Sequence, residues 1–218
     1  MNNKTILAIP VFLILIMSFI FRYVSVKYGV TVAILLGFLI YQIIWCMVIP
    51  LSILQKQALF SIFIQKEKLF TYKNTLYIVL LLLPIVGAIP LFILNISKYP
   101  FYLFFIGLPL TIANGISEEI LWRGLFIKTQ KNFFLKVVYP AILFSIWHIC
   151  PQLVYIDKPF SEIVLFSAVT LPLGFAYSLV AAEFDSIRYT SLSHAISGIL
   201  AFGIPLSTSF ASLFGINY

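Results

Sequence analysis

The charged residues of this chain lie in short clusters, and seven long uncharged runs separate them. These runs cover residues 5–21, 28–55, 74–97, 99–117, 137–156, 163–182 and 189–218. A helix needs about 20 apolar residues to cross a bilayer, within a range of roughly 17 to 25, so each run can supply one span. The runs do not show the alternation of polar and apolar residues that marks barrel strands. The sequence therefore predicts an all-α, polytopic membrane bundle of about seven transmembrane helices.

The composition excludes most soluble classes of protein. Hydrophobic residues make up 62% of the chain and charged residues only 10%, whereas a soluble domain has about 25% charged residues. The two cysteines, Cys46 and Cys150, both fall in apolar runs, so we expect unpaired packing residues. The net charge of +7 comes from clusters between the runs, which is typical of membrane-orienting loops. We therefore expect the lipid bilayer as a partner, and no nucleic acid.

The same clusters predict the orientation of the chain. Seven spans place ten of the Lys and Arg residues, Arg123 among them, on the side of the N-terminus and four on the other side. Because cytoplasmic loops carry the excess of basic residues, the N-terminus is predicted to be cytoplasmic. The abundance of Ile, Phe, Leu and Lys is typical of a low-GC bacterium, so we expect a multi-pass protein of a bacterial cell membrane.

Ionisable residues within the predicted spans are the candidate functional residues, because they are costly in a bilayer. If the fourth helix continues past Ser117 to Phe126, Glu119 and Arg123 lie four residues apart and pair on one face. Glu118 then remains free to act as a general base. The alternative is that the helix ends near Ile116 and both carboxylates lie at the surface.

The only two histidines, His148 and His194, also fall in predicted spans. At a rise of about 1.5 Å per residue, they lie ~18 Å and ~9 Å from the cytoplasmic edge, and Glu118 lies ~14 Å from it. Three helices can therefore direct a Glu and two His side chains into one polar cavity. The alternative for each histidine is a hydrogen-bonded packing residue.

Three motifs carry a resemblance to a known family. EExxxR at Glu118–Arg123, FxxxH at Phe144–His148 and the late membrane histidine His194 resemble the CAAX protease and bacteriocin-processing (CPBP, or Abi) family of intramembrane endopeptidases. The resemblance covers roughly residues 100–205. It implies an endopeptidase that acts on a membrane-associated peptide or protein. The runs predict a single domain with two parts: three N-terminal helices in residues 1–97, and four helices in residues 98–218 that the resemblance identifies as the catalytic core.

The resemblance also implies roles for individual residues. Glu118 would be the general base, His148 its partner on the attacking water, and His194 the donor to the oxyanion. The candidate catalytic set consists of Glu118, Glu119, His148 and His194. Structural or substrate-orienting roles would fall to Glu119 and Arg123. Phe144, Asn114 and Ser197 are further candidates for such roles. Asn114 lies four residues before Glu118 and could hydrogen-bond it, or it could cap or pack. The family pattern has Asn four residues after the last histidine, where this chain has Gly198. Ser193 or Ser197 could supply a hydroxyl instead, or Gly198 could let another backbone approach.

Several alternatives remain open at this point. Glu118, His148 and His194 could ligate zinc as a His₂Glu set, but no HExxH is present and we expect no metal and no other cofactor. The first hypothesis is a CAAX-protease-like enzyme that acts in bacteriocin or peptide processing or in self-immunity. The second is a catalytically impaired immunity or interaction protein on the same scaffold. The third is a small transporter with a Glu and His proton relay.

Overall fold

The computed structural model describes residues 3–65, 67–213 and 215, and among these residues it contains helices and no strand. Within these residues, seven helices are long and apolar enough to cross a membrane. They are α1 (Asn3–Tyr28), α2 (Val30–Ser61), α3 (Tyr72–Ile96), α4 (Tyr102–Thr129), α5 (Phe134–Gln152), α6 (Phe160–Phe184) and α7 (Arg188–Leu213). The predicted all-α, seven-helix membrane bundle is confirmed. Large apolar side chains are exposed along these helices, as expected for surfaces that face lipid.

The first two helices form a tight hairpin. Gly29 joins them with a φ of +90°, which is a backbone conformation that favours glycine. Further along the hairpin, a Cβ at Gly37 would lie 2.2 Å from the ring of Phe21. The lack of a side chain at Gly37 therefore leaves the space that the Phe21 ring occupies. Helix α2 widens to a π-helix over Tyr41–Val48 and kinks at Gln55.

Helix α4 continues through the acidic motif, as predicted. Its α-helical part runs from Tyr102 to Glu119, a π-helical turn covers Ile120–Gly124, and a last α-helical turn follows. Glu118 and Glu119 are buried. The alternative of a helix that ends near Ile116, with both carboxylates at the surface, is therefore wrong.

Helices α4 and α7 pack antiparallel at very short distance, because glycines lie where they cross. A Cβ at Gly107 would lie 2.0 Å from the carbonyl oxygen of Gly203. A Cβ at Gly115 would lie 2.8 Å from the backbone nitrogen of Ala195, next to His194. The close approach at Gly115 brings the acidic motif of α4 against the histidine of α7.

Contacts between helix ends group the loops into two faces. On the face of the N-terminus, Lys128 pairs with Asp185 at 2.6 Å, and the Ile187 amide donates to the Ile62 carbonyl at 2.8 Å. On the other face, the Ser25 hydroxyl donates to the carbonyl of Val154 at 2.6 Å. Seven helices that cross the membrane in alternating directions would place these loops on the same two faces.

The count of basic residues on these faces needs one correction. Arg123 is fully buried inside α4 rather than exposed in a loop, so the ten basic residues on the N-terminal side become nine. Lys66, which belongs to that count, lies outside the described residues.

One hydrophobic core joins the N-terminal helices to the motif helices. Buried side chains of α1 and α2, such as Phe21 and Tyr41, belong to the same cluster as Trp122 of α4 and Trp147 of α5. The division into residues 1–97 and 98–218 stays a prediction, and its ends at residues 1, 2 and 216–218 lie outside the described residues. The N-terminal helices nevertheless contribute directly to the packing around the acidic motif.

Candidate active site

A buried ion pair lies at the centre of the bundle. Arg123 Nη1 donates to Glu119 Oε1 at 2.9 Å, and both side chains have an exposed fraction of 0%. The predicted pairing of these two residues is confirmed. Because Glu119 takes the arginine, the carboxylate of Glu118 points elsewhere, as expected for two adjacent residues about 100° apart on a helix.

Two aromatic rings enclose the guanidinium group. Its carbon lies 4.3 Å from the centre of the Phe144 ring and 5.5 Å from that of Tyr177. Arg123 Nη2 also lies 3.4 Å from the carbonyl oxygen of Gly174 in α6. These contacts compensate a cation far from water, which would otherwise be very costly. Arg123 therefore connects α4 to α5 and α6 in addition to holding Glu119.

His194 lies between the two carboxylates. Its Nδ1 is 2.9 Å from Glu119 Oε1, and its Nε2 is 3.4 Å from Glu118 Oε2. Both nitrogens can donate to these oxygens at the same time only in the protonated ring. The bundle thus brings three of the predicted catalytic residues, Glu118, Glu119 and His194, into direct contact.

Glu118 is held at its other oxygen by an aromatic side chain. Trp147 Nε1 donates to Glu118 Oε1 at 3.3 Å, and Glu118 itself is only 3% exposed. Each carboxylate oxygen therefore has one neighbouring donor and keeps lone pairs for a further hydrogen bond. The carboxylate is fixed in orientation and still able to accept a proton.

His148 lies next to this group without touching it. Its Nδ1 is 2.7 Å from the carbonyl oxygen of Phe144, and donation there leaves Nε2 of the neutral ring as an acceptor. The Phe144 ring lies 4.5 Å from the His148 ring and 6.2 Å from the His194 ring. Among the described side chains, no direct hydrogen bond or ion pair joins His148 to Glu118, although the two interact electrostatically.

The serines of the third motif face away from the carboxylates. The hydroxyl of Ser193 donates to the Leu81 carbonyl, and that of Ser197 donates to the His194 carbonyl at 3.1 Å. The Tyr177 hydroxyl lies within 3.4 Å of both serine oxygens. Because each serine hydroxyl has only one hydrogen, neither hydroxyl is free to donate to a substrate.

Gly198 faces open space instead of a close neighbour. A Cβ built there would meet a single atom, the carbonyl oxygen of Thr111, at 4.0 Å. The helix therefore does not need a glycine at this position for packing, in contrast with Gly115.

Asn114 makes a contact that the sequence did not reveal. The sequence allows a hydrogen bond from Asn114 to Glu118, but Asn114 Oδ1 accepts from Gln42 Nε2 at 3.0 Å. Gln42 belongs to α2, so the N-terminal helices reach the polar face of α4. The sequence feature that could have indicated Gln42 is its polar side chain, next to Tyr41, in the middle of an apolar run.

The residues present do not fit the zinc alternative. Among the described residues, no group of three or more His, Cys, Asp or Glu side chains is arranged to hold a metal ion. Both nitrogens of His194 face carboxylate oxygens, so neither is free to bind a metal ion. The metal-free expectation stays a prediction. Cys46 and Cys150 are buried and unpaired, as predicted.

The comparison with known families agrees with the three motifs. Residues 100–200 match the family model of the Rce1-like type II CAAX prenyl endopeptidases. The match confirms the resemblance to the CAAX protease and bacteriocin-processing family, and it includes Glu118, Glu119, Arg123, His148 and His194. No curated protein and no solved structure matches the chain.

Proposed function

We propose that this chain is an intramembrane endopeptidase that hydrolyses a peptide bond with a water activated by Glu118 and His148. The observation that carries the proposal is the burial of Glu118 in contact with both His194 and Trp147, within helices long enough to span a bilayer. The Rce1-like match supports the same reaction class at the level of the family.

The proposed reaction needs no group other than these side chains. The attacking water donates one hydrogen bond to Glu118 and one to Nε2 of His148, so a lone pair points to the carbonyl carbon of the substrate. Glu118 takes a proton as the C–O bond forms and becomes neutral. The Nε2–H of His194 then shifts its hydrogen bond from Glu118 to the developing oxyanion. The C–N bond then breaks, and the leaving amine takes the proton from Glu118.

We propose Glu119 and Arg123 as structural residues rather than reacting groups. Both are fully buried, and Glu119 Oε1 already accepts from Arg123 and from His194. Their part in the reaction is to fix the ring of His194 against Glu118. Phe144 supports the same arrangement, because its ring contacts His148 and Arg123.

The substrate of the proposed reaction is a membrane-associated peptide or protein tail. The face of the bundle that carries the N-terminus has nine basic residues, and the opposite face has four. We propose that this side is the cytoplasm, that the membrane is that of a bacterial cell, and that the reaction serves bacteriocin or other peptide maturation, or self-immunity.

The direct test is cleavage by the purified full-length chain in lipid nanodiscs. Two internally quenched probes are used: a farnesylated CAAX-tail peptide, and an N-acylated peptide of the same sequence without the prenyl group. We expect cleavage of at least one probe, and a loss of about 10³-fold or more in rate for Glu118→Gln.

The matched control is Glu162→Gln, at an exposed glutamate in the first turn of α6. It should retain the full rate. Equal rates for Glu118→Gln and the unmodified chain, or no cleavage of either probe, would contradict the proposed activity.

A second candidate function rests on the open space at Gly198 and the engaged hydroxyls of Ser193 and Ser197. Because both hydroxyls are engaged and position 198 has no side chain, we propose as the alternative an immunity or interaction protein with impaired catalysis. It predicts that cells producing Glu118→Ala retain protection against the cognate peptide. The endopeptidase hypothesis predicts that this protection is lost.

A further inference from the structure

A chain of aromatic contacts runs from the N-terminal helices to the carboxylate of Glu118. Tyr41 of α2 stacks on Trp147 of α5, with ring centres 3.8 Å apart and an angle of 23° between the planes. The hydroxyl oxygen of Tyr41 accepts from Trp122 Nε1 of α4 at 2.8 Å. Trp147 in turn donates to Glu118. All three aromatic side chains are exposed by 1% or less, so no water competes for these contacts.

We propose that Trp147 is a positioning residue for Glu118 and that Tyr41 fixes Trp147 in place. This inference rests on the proposed hydrolysis, for which it assigns a role to helix α2. The indole N–H acts on only one oxygen of the carboxylate, and His194 acts on the other. Together they determine which way the remaining lone pairs of Glu118 point.

The chain position of Trp147 strengthens the assignment. It directly precedes His148, so one short stretch of α5 carries both the donor to Glu118 and the proposed acceptor of the attacking water. A shift of Trp147 would therefore move Glu118 and His148 relative to each other. Displacements of about 1 Å in such groups can lower a rate by about 10²-fold.

Packing alone does not account for these contacts. A tryptophan that only fills the core would require an acceptor for its N–H, but any buried oxygen would serve. Here the acceptor is the proposed general base, while the acceptor for Trp122 is a tyrosine hydroxyl from the same aromatic group. Because Tyr41 contacts both tryptophans, it determines the spacing between α4 and α5 at the level of Glu118.

The first measurement does not depend on activity. The chain has three tryptophans, so the indole N–H region of an NMR spectrum of the ¹⁵N-labelled protein contains three signals, assigned by the variants Trp45→Phe, Trp122→Phe and Trp147→Phe. We expect Glu118→Ala to move the Trp147 signal upfield, because a charged acceptor is lost. The signal of Trp45, which has no contact with Glu118 in the described part of the chain, should not move.

The second measurement is kinetic. Trp147→Phe keeps an aromatic ring against Tyr41 and removes the donor, so we expect kcat to fall about 10- to 100-fold with KM unchanged. Tyr41→Leu removes the stacked ring and should have the same kinetic signature. Trp45→Phe, in the same helix as Tyr41 and of matched size, should change kcat by less than about twofold.

The outcomes separate this inference from the proposed function. If the Trp147 signal does not respond to Glu118→Ala, or if Trp147→Phe and Trp45→Phe have the same kcat, the positioning role is wrong. If the signal responds but no peptide is cleaved by the unmodified chain, the hydrolysis is contradicted, while the bond from Trp147 to Glu118 is supported. A response together with a selective loss of kcat supports both.

Discussion

Helices α3 and α4 are neighbours in the chain and differ strongly in what they contact. Helix α3 has a mean hydropathy of 2.7 over its most apolar stretch, and only 11% of that stretch is buried in the protein. Helix α4 has a mean hydropathy of 1.2, and 44% of its stretch is buried. The less apolar helix is thus the more buried one, which is the reverse of the rule for soluble proteins.

The difference shows that this bundle places its charged side chains on a helix that is surrounded by protein rather than on one that faces lipid. A polar or charged side chain that faces lipid has no partner, so α3 exposes Leu and Val and carries no charge between Thr75 and Ile96. Helix α4 carries Glu118, Glu119 and Arg123, and each of them finds a partner on another helix or on its own next turn. The site therefore requires the burial of α4, and lipid exposure of α3 is compatible with a purely apolar sequence.

The largest expected difference is between the loss of a positive charge in α4 and the loss of one beside α3. Arg123→Met leaves Glu119 buried without its cation, so we expect a loss of about 3–5 kcal/mol in the free energy of unfolding and no cleavage. Lys98 is exposed and lies two residues after the end of α3, so Lys98→Met should change the free energy of unfolding by less than about 0.5 kcal/mol. Thermal unfolding in detergent, followed by circular dichroism, measures both.

The double variant Arg123→Met with Glu119→Met sharpens this test. Replacing a whole buried pair by apolar residues is often neutral, so stability should largely return while cleavage should not. Equal stability of Arg123→Met and the unmodified chain would show that the ion pair does not hold α4 in the bundle.

The second contrast applies the same substitution to both helices. Gly115→Ala places a Cβ 2.8 Å from the backbone of Ala195, so we expect α7 to move away and the chain to lose about 1–3 kcal/mol of stability. Gly87→Ala in α3 meets no atom within 4 Å and should stabilise the helix by up to about 1 kcal/mol. The unfolding temperature should therefore change in opposite directions.

Cleavage adds an independent readout for this pair. Because Gly115 packs beside His194, its substitution should lower the rate even at a temperature where the chain is folded. A Gly115→Ala variant as stable and as active as Gly87→Ala would contradict the close crossing of α4 and α7.

The smallest expected effect on stability is that of Gly198→Asn. The open space beside Thr111 accommodates the side chain, so stability should change by less than about 1 kcal/mol. If His194 is the single donor to the oxyanion, the added amide should raise the cleavage rate by about 10-fold or more. Peptide cleavage in nanodiscs measures the gain, and Gly198→Leu is the matched control without an amide. An equal effect of both substitutions would contradict the role of a donor at this position.

Much of the fold could be predicted from the distribution of charges. The seven uncharged runs correspond to seven helices, since only a helix lets a single span satisfy its own backbone hydrogen bonds in a bilayer. The pairing of Glu119 with Arg123 followed from helical periodicity alone. Arg123 was also counted among the loop charges, because the sequence does not show where a helix that carries charges ends.

The site could be predicted only in part, because its residues come from distant places in the chain. The histidines and glutamates stood out as rare ionisable residues in apolar runs. Tyr41, Gln42 and Trp147 did not, since aromatic and amide side chains in such runs usually pack or lie near the interface. Their importance depends on contacts between residues separated by 29 positions or more, such as Trp147 with Glu118.

The sequence by itself determined that the chain crosses a membrane, how many helices it forms, and which few residues are too polar to face lipid. These properties depend on local composition and on helical spacing, which act within a single span. The tertiary structure decided that His194 contacts both carboxylates, that Glu118 also faces Trp147, and that α2 contributes to the site. Those choices depend on how closely helices approach each other, and at Gly115 that distance is set by the absence of a single side chain.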